Sequence, residues 1–146
     1  MVQAKAEGVM IPAFVEQFEQ SRSELEARFR DYPPNAYIDV VRAVVAVLAE
    51  TPEALTDYQT PDPERVIEID WGNYQGTLLY VVGSNNYQPS TFWSVKVSYG
   101  SCSGCDTLQA IGHSDRCTFS GYEPSTPEQV ADYMTLALHI VQGFHI

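Results

Sequence analysis

The sequence predicts an α+β domain. Apolar residues recur at helical spacing over residues 12–50, alternate with polar residues over residues 66–99, and return to helical spacing over residues 127–142. No helical stretch separates the alternating segments, so their strands are expected to pair antiparallel. The expected architecture is two to three N-terminal helices, a three- to four-stranded antiparallel sheet over about residues 66–111, and one C-terminal helix packed on that sheet. Residues 1–11 read as a flexible leader, and residues 12–146 as a single domain.

Each element has a local reason. Pro12 suits a first helical turn, and Phe14, Phe18, Leu25 and Phe29 then fall on one face among charged residues. This predicts one amphipathic helix of about five turns, ended by Pro33 and Pro34. Asn35 is a good N-cap for a second helix, whose dense apolar set runs from Ile38 to Leu48. The β-branched run at Val44–Leu48 also admits a strand, but length and cap favour helix. Thr51-Pro52-Glu53 reads as the cap and first turn of a short third helix ending near Tyr58. Residues 59–64, QTPDPE, read as a Pro-rich loop.

In VIEIDW, Ile67, Ile69 and Trp71 share one face and Glu68 and Asp70 the other, which predicts a strand with one wet side. Thr77–Val82 and Thr91–Tyr99 predict two more strands, and Thr107–Ile111 a fourth. Before Pro127, Ser125 and Thr126 each have a Glu or Gln three residues on, the pattern of a capping box. Val130, Tyr133, Met134, Ala137, Leu138 and Val141 form the expected buried stripe of the last helix, and Gly143 its stop.

The chain of 146 residues carries 19 acids and 8 bases, a formal net charge of −11 spread over both halves. Such a surface repels phosphate backbones and anionic lipid headgroups, so neither direct nucleic-acid binding nor membrane association is expected. It suits either solubility or an acidic face that meets a basic protein surface, with Asp57, Asp62, Glu64, Glu68 and Asp70 the densest acidic stretch. There is no apolar run long enough to span a bilayer and no secretory leader. Three cysteines without an export signal make a reducing cytoplasm the expected setting.

Chemistry concentrates at Cys102, Cys105, His113 and Cys117, spaced C-x2-C-x7-H-x3-C. Three thiolates and an imidazole can hold one tetrahedral zinc, and Gly104 would let the first pair turn tightly. Two other readings stand beside it: small residues packed at a strand end, or a C-x-x-C redox pair. Cys102 with His113 is also a conceivable nucleophile and base, and Asp106 beside them either orients His113 or caps a turn. His139 reads as a helix surface residue. Templates for nucleotide binding, serine hydrolysis and metalloproteolysis are absent from the sequence. Of the nine Tyr, six Phe and two Trp, Trp71, Tyr74, Tyr80, Tyr87, Trp93, Tyr99 and Tyr122 fall in or near the strands, mostly as core. Trp71, Tyr74, Tyr99 and Asp106 are the candidate binding surface.

The segment Tyr99-Gly100-Ser101-Cys102-Ser103-Gly104-Cys105-Asp106-Thr107-Leu108-Gln109 resembles one found in a group of small, functionally unassigned bacteriophage-encoded proteins. Tyr74-Gln75-Gly76-Thr77 and Met134-Thr135-Leu136-Ala137-Leu138-His139 add to the resemblance, which spans roughly residues 67–142. The group implies no activity, cofactor or catalytic residue, and His113 and Cys117 lie past the shared motif. The expected function is that of a non-enzymatic phage accessory protein, binding a host or defence protein or a small signalling ligand through the sheet face and the Cys segment. The rival expectations are an enzyme using Cys102 and Cys105, and a structural or assembly protein of the virion.

Overall fold

The computed structural model describes residues 12–52, 60–72, 76–85, 91–100, 106–112 and 125–144. The elements run α1 (residues 12–20), α2 (Arg22–Asp31), α3 (Tyr37–Leu48), β1 (Pro61–Gly72), β2 (Gly76–Ser84), β3 (Phe92–Tyr99), α4 (Thr107–Gly112) and α5 (Pro127–Gln142). The strands form one antiparallel sheet in the order β1-β2-β3, and the helices cover one face of it. The α+β architecture expected from the sequence is therefore the one observed.

The first expected helix is two. Ser21 leaves the helical basin at φ −99° and ψ 12°. The Ser21 amide still donates to the Gln17 carbonyl at 3.0 Å, so the chain bends there rather than stops. Phe14 and Phe18 on α1, and Leu25 and Phe29 on α2, are buried as their spacing requires. The N-cap of α3 is Ala36, not Asn35; Asp39 reaches back to accept from the Asn35 amide at 3.0 Å and the Ala36 amide at 3.2 Å. The run Val44–Leu48 is helical. The third helix expected between Thr51 and Tyr58 lies mostly outside the described residues.

Two expectations about the sheet are corrected. First, β1 begins at Pro61, inside the stretch read as a loop, with an irregularity between Pro61 and Val66. Pro63 is tolerated because β1 is an edge strand, where a missing N–H need not break a ladder. Second, Thr107–Gly112 is a helical turn and not a fourth strand. Leu108 and Ile111, three apart, are both buried, which a helix achieves and a strand does not. The Tyr37 hydroxyl accepts from the Leu108 amide at 3.1 Å, satisfying a donor that a helix start leaves open.

The core lies between the sheet and the helices. Leu78, Tyr80 and Val82 from β2 and Trp93, Val95 and Val97 from β3 face the helices and are buried. On α5, Tyr133, Met134, Ala137 and Val141 are buried as expected, joined by Leu136 and Ile140; Val130 and Leu138 are half-buried. The wider stripe reflects contact with α2, α3, α4 and β3 at once. Gly143 ends α5 close to the sheet, where an added Cβ would stand 3.1 Å from Val95 Cγ2 and 3.3 Å from the His139 carbonyl.

Ser125 and Thr126 divide the capping work. Thr126 Oγ1 accepts from the Gln129 amide at 3.2 Å, and Gln129 Oε1 accepts from the Thr126 amide at 2.9 Å. Ser125 instead closes the end of α2, donating from its hydroxyl to the Phe29 carbonyl at 2.8 Å and from its amide to the Arg30 carbonyl at 2.9 Å. Thr126→Ala is expected to lower stability by about 1 kcal/mol in urea denaturation, while Thr126→Ser stays near wild type.

Candidate functional site

The alternation in β1 is real, but the isoleucine side is not buried: Ile67, Glu68, Ile69 and Asp70 are all exposed. Register sets Val66, Glu68 and Asp70 opposite Val82, Tyr80 and Leu78, on the helix side of the sheet. Ile67 and Ile69 therefore point outward, at 61% and 38% exposure. The acids fit the helix side because tyrosine hydroxyls there need acceptors. Tyr80 Oη donates to Glu68 Oε2 at 2.8 Å, and Tyr99 Oη donates to Asp70 Oδ1 at 2.6 Å. Burial pushes the Tyr80 phenol well above its ordinary range, and the Glu68 carboxylate adds to the shift. Tyr99 is also raised, chiefly by its hydrogen bond to Asp70.

The outer face can be read row by row. Ile67 pairs with Val81 and Val81 with Ser94; Ile69 pairs with Leu79 and Leu79 with Lys96; Gly83 pairs with Phe92. Phe92 is 49% exposed. The result is an apolar strip along β1 and β2, closed at one end by Phe92 and flanked on β3 by Ser94, Lys96 and Ser98. No described element covers it. From Ile67 onward, Lys96 is the one charged group among its described residues, and it makes no ion pair there. On a chain of net charge −11, this face carries no described acid beyond the Asp62–Arg65 pair at its margin, 3.4 Å apart.

Asp106 is buried and committed. Its Oδ1 accepts from the Tyr37 hydroxyl at 3.0 Å, and its Oδ2 accepts from the Gly100 amide at 2.8 Å. This joins the two ends of the segment that holds Cys102 and Cys105, and fastens them to α3. Burial pushes the Tyr37 phenol up to about 12, with the Leu108 amide pulling the other way and Asp106 adding to the rise.

Of the residues singled out in the sequence, Asp106 is a buried acceptor and Tyr99 is half-buried with its hydroxyl held by Asp70. Trp71 lies in β1, on the backbone parity of Ile67 and Ile69. Cys102, Cys105, His113, Cys117 and Tyr74 lie outside the described residues. Among the described residues, no group of three or more His, Cys, Asp or Glu is placed to hold a metal. His139 is exposed on α5. Sequence reasoning missed Leu79, Val81, Phe92 and Lys96. The run TLLYVV is apolar at consecutive positions, so its outward residues could be found only through the pairing with Ile67 and Ile69.

A groove of about 500 Å³ between α2 and α5 is floored by Val130, Met134 and Leu138 and rimmed by Arg22, Glu26 and Arg30. Its charges are answered within the helices: Arg22 pairs with Glu19 at 3.1 Å and Glu26 at 3.7 Å, and Arg30 with Asp31 at 3.3 Å. No described helix is long and apolar enough to cross a membrane. No protein-family model, no curated protein and no solved structure matches this chain, which leaves the outer sheet face and its chemistry as the ground for a functional reading.

Proposed function

We propose that this protein acts without catalysis, by binding a partner protein across the outer face of its sheet. The observation that carries the reading is the exposure of Ile67, Ile69 and Phe92 on a face whose described charges are Lys96 and the Arg65–Asp62 pair, in a strongly acidic chain. Exposed apolar residues gathered in one patch mark interaction surfaces, whereas scattered ones do not. The matching partner has an apolar patch with a carboxylate beside it for Lys96. Elsewhere the negative charge repels most acidic proteins, so the same feature that favours solubility restricts association to this face. The likeness of the Cys segment to bacteriophage proteins makes the partner a host or defence protein in the cytoplasm of an infected bacterium.

The test is site-specific photocrosslinking in infected cells, with benzoylphenylalanine at position 92 and, as control, at Gln142 on α5. The expected result is one adduct from position 92, absent from position 142, whose identified partner binds the purified protein at least tenfold more weakly after Ile67→Lys with Ile69→Lys. Adducts equal at both positions, or binding indifferent to the lysines, sink the reading. A crosslinked dimer of this chain would make a second copy the occupant and overturn the foreign-partner reading.

A further inference from the structure

We propose that the cleft between α2 and α3 binds a phosphate monoester attached to a planar ring, in class a nucleoside monophosphate. The cleft has a volume of about 300 Å³ and is lined by Arg28, Tyr32 and Arg42 over a floor that includes Phe29 and Ala43. That volume lies at the lower end of the range for small-molecule sites. It is separate from the outer sheet face and does not depend on the partner-binding reading.

The charge pattern is the first support. Arg22, Arg30 and Arg65 each pair with a carboxylate. Arg28, Arg42 and Lys96 are the described cations that do not, and two of these three share this one cleft. In a chain with 19 acids and 8 bases, an exposed arginine has many carboxylates to choose from, so two left without one at the same place is the exception. Arg28 comes from the last turn of α2 and Arg42 from the middle of α3, so two packed helices present them together. Paired guanidinium forks suit a phosphate dianion, which accepts two hydrogen bonds from each fork.

The aromatic is the second support. Tyr32 is 74% exposed, the most exposed of the large apolar side chains described, and it stands beside Pro33 and Pro34 at the rim. An aromatic ring held next to a cationic site offers a face for stacking a base, a contact that tolerates any base because each has a π-face. Asp39 is the acid lining the cleft, and its carboxylate is already engaged by the Asn35 and Ala36 amides. These amides offset its repulsion of an incoming anion. The α2–α5 groove lacks this pattern, since its arginines are neutralised in place.

The experiment is isothermal titration of the full chain at low salt with the four ribonucleoside 5′-monophosphates, their nucleosides and inorganic phosphate as probes. Monophosphates are expected to bind more tightly than phosphate or nucleosides. Arg28→Gln and Arg42→Gln should each weaken binding at least tenfold, and Tyr32→Ala should weaken the monophosphates severalfold while leaving phosphate unchanged. These side chains are exposed, so the thermal midpoint should hold in every variant, which separates lost binding from lost folding. No binding at millimolar monophosphate, or binding indifferent to both arginine changes, overturns the site. Equal binding of phosphate and monophosphates, or indifference to Tyr32→Ala, overturns the ring contact.

Discussion

Trp93→Ala is expected to lower stability by about 3–5 kcal/mol, whereas Ile67→Ala is expected to shift it by less than about 1 kcal/mol. Both residues lie in strands and both are large and apolar, so sequence gives no reason to separate them. Their surroundings do. Trp93 is fully buried, with Phe14 edge-on at a ring separation of 5.9 Å, and Phe14 in turn meets Phe144 at 6.4 Å. These contacts tie β3 to α1 and to the residues after α5, so removing the indole opens a cavity where three parts of the chain meet. The indole N–H has no hydrogen-bond partner among the described residues, so the loss is one of packing alone. Trp93→Phe should therefore retain much of the stability. Urea denaturation of the three variants measures this. If Ile67→Ala costs as much as Trp93→Ala, then β1 faces inward and the outer-face binding surface is wrong.

Stability is expected to hold from neutral pH to about pH 10 and then to fall, with Tyr37 and Tyr80 as the main cause. Both phenols have an ordinary pKa of 10.0, and in the folded chain both are raised, Tyr37 to about 12 and Tyr80 further. A phenol with a raised pKa holds its proton more tightly folded than unfolded. Its contribution is complete below the unfolded value, declines as pH climbs above it, and is gone once pH passes the folded value. For Tyr37 that window runs from pH 10 to about 12. Each tyrosine contributes a slope of at most about 1.4 kcal/mol per pH unit. The urea midpoint, followed from pH 8 to pH 11, should therefore drop along a slope approaching that of two protons. Tyr37→Phe should remove about half of the slope, at the expense of the acceptor for the Leu108 amide and a donor to Asp106. A pH profile unchanged by Tyr37→Phe with Tyr80→Phe would show that neither phenol is held as the structure has it.

How the chain folds was largely legible because local signals agreed with one another. Helical spacing of Phe14, Phe18, Leu25 and Phe29 placed the N-terminal helices, and Thr126 with Gln129 marked the start of α5 to the residue. Alternation in Trp93, Val95 and Val97 placed β3 with the correct side inward. Periodicity failed where a segment was too short to have one, at Thr107–Gly112, whose six residues are set as helix by Tyr37 and Asp106 from elsewhere in the chain.

What the sequence by itself determined was the α+β class, the order of most elements and the alternation within β1 and β3. What only the tertiary structure decided was which side of β1 meets the core. An alternating strand has two faces, and the pattern Ile67, Glu68, Ile69, Asp70 states that they differ without stating which is inside. The usual rule sends the isoleucines inward. Here the inward side of the edge strand meets the hydroxyls of Tyr80 and Tyr99, which need acceptors, and Glu68 and Asp70 supply them. The Tyr80 hydroxyl is partly buried and needs a partner, a non-local requirement that arises from strand β2, while the Tyr99–Asp70 bond is exposed. The isoleucines are left outside, and with them Leu79, Val81 and Phe92 become the surface offered to a partner.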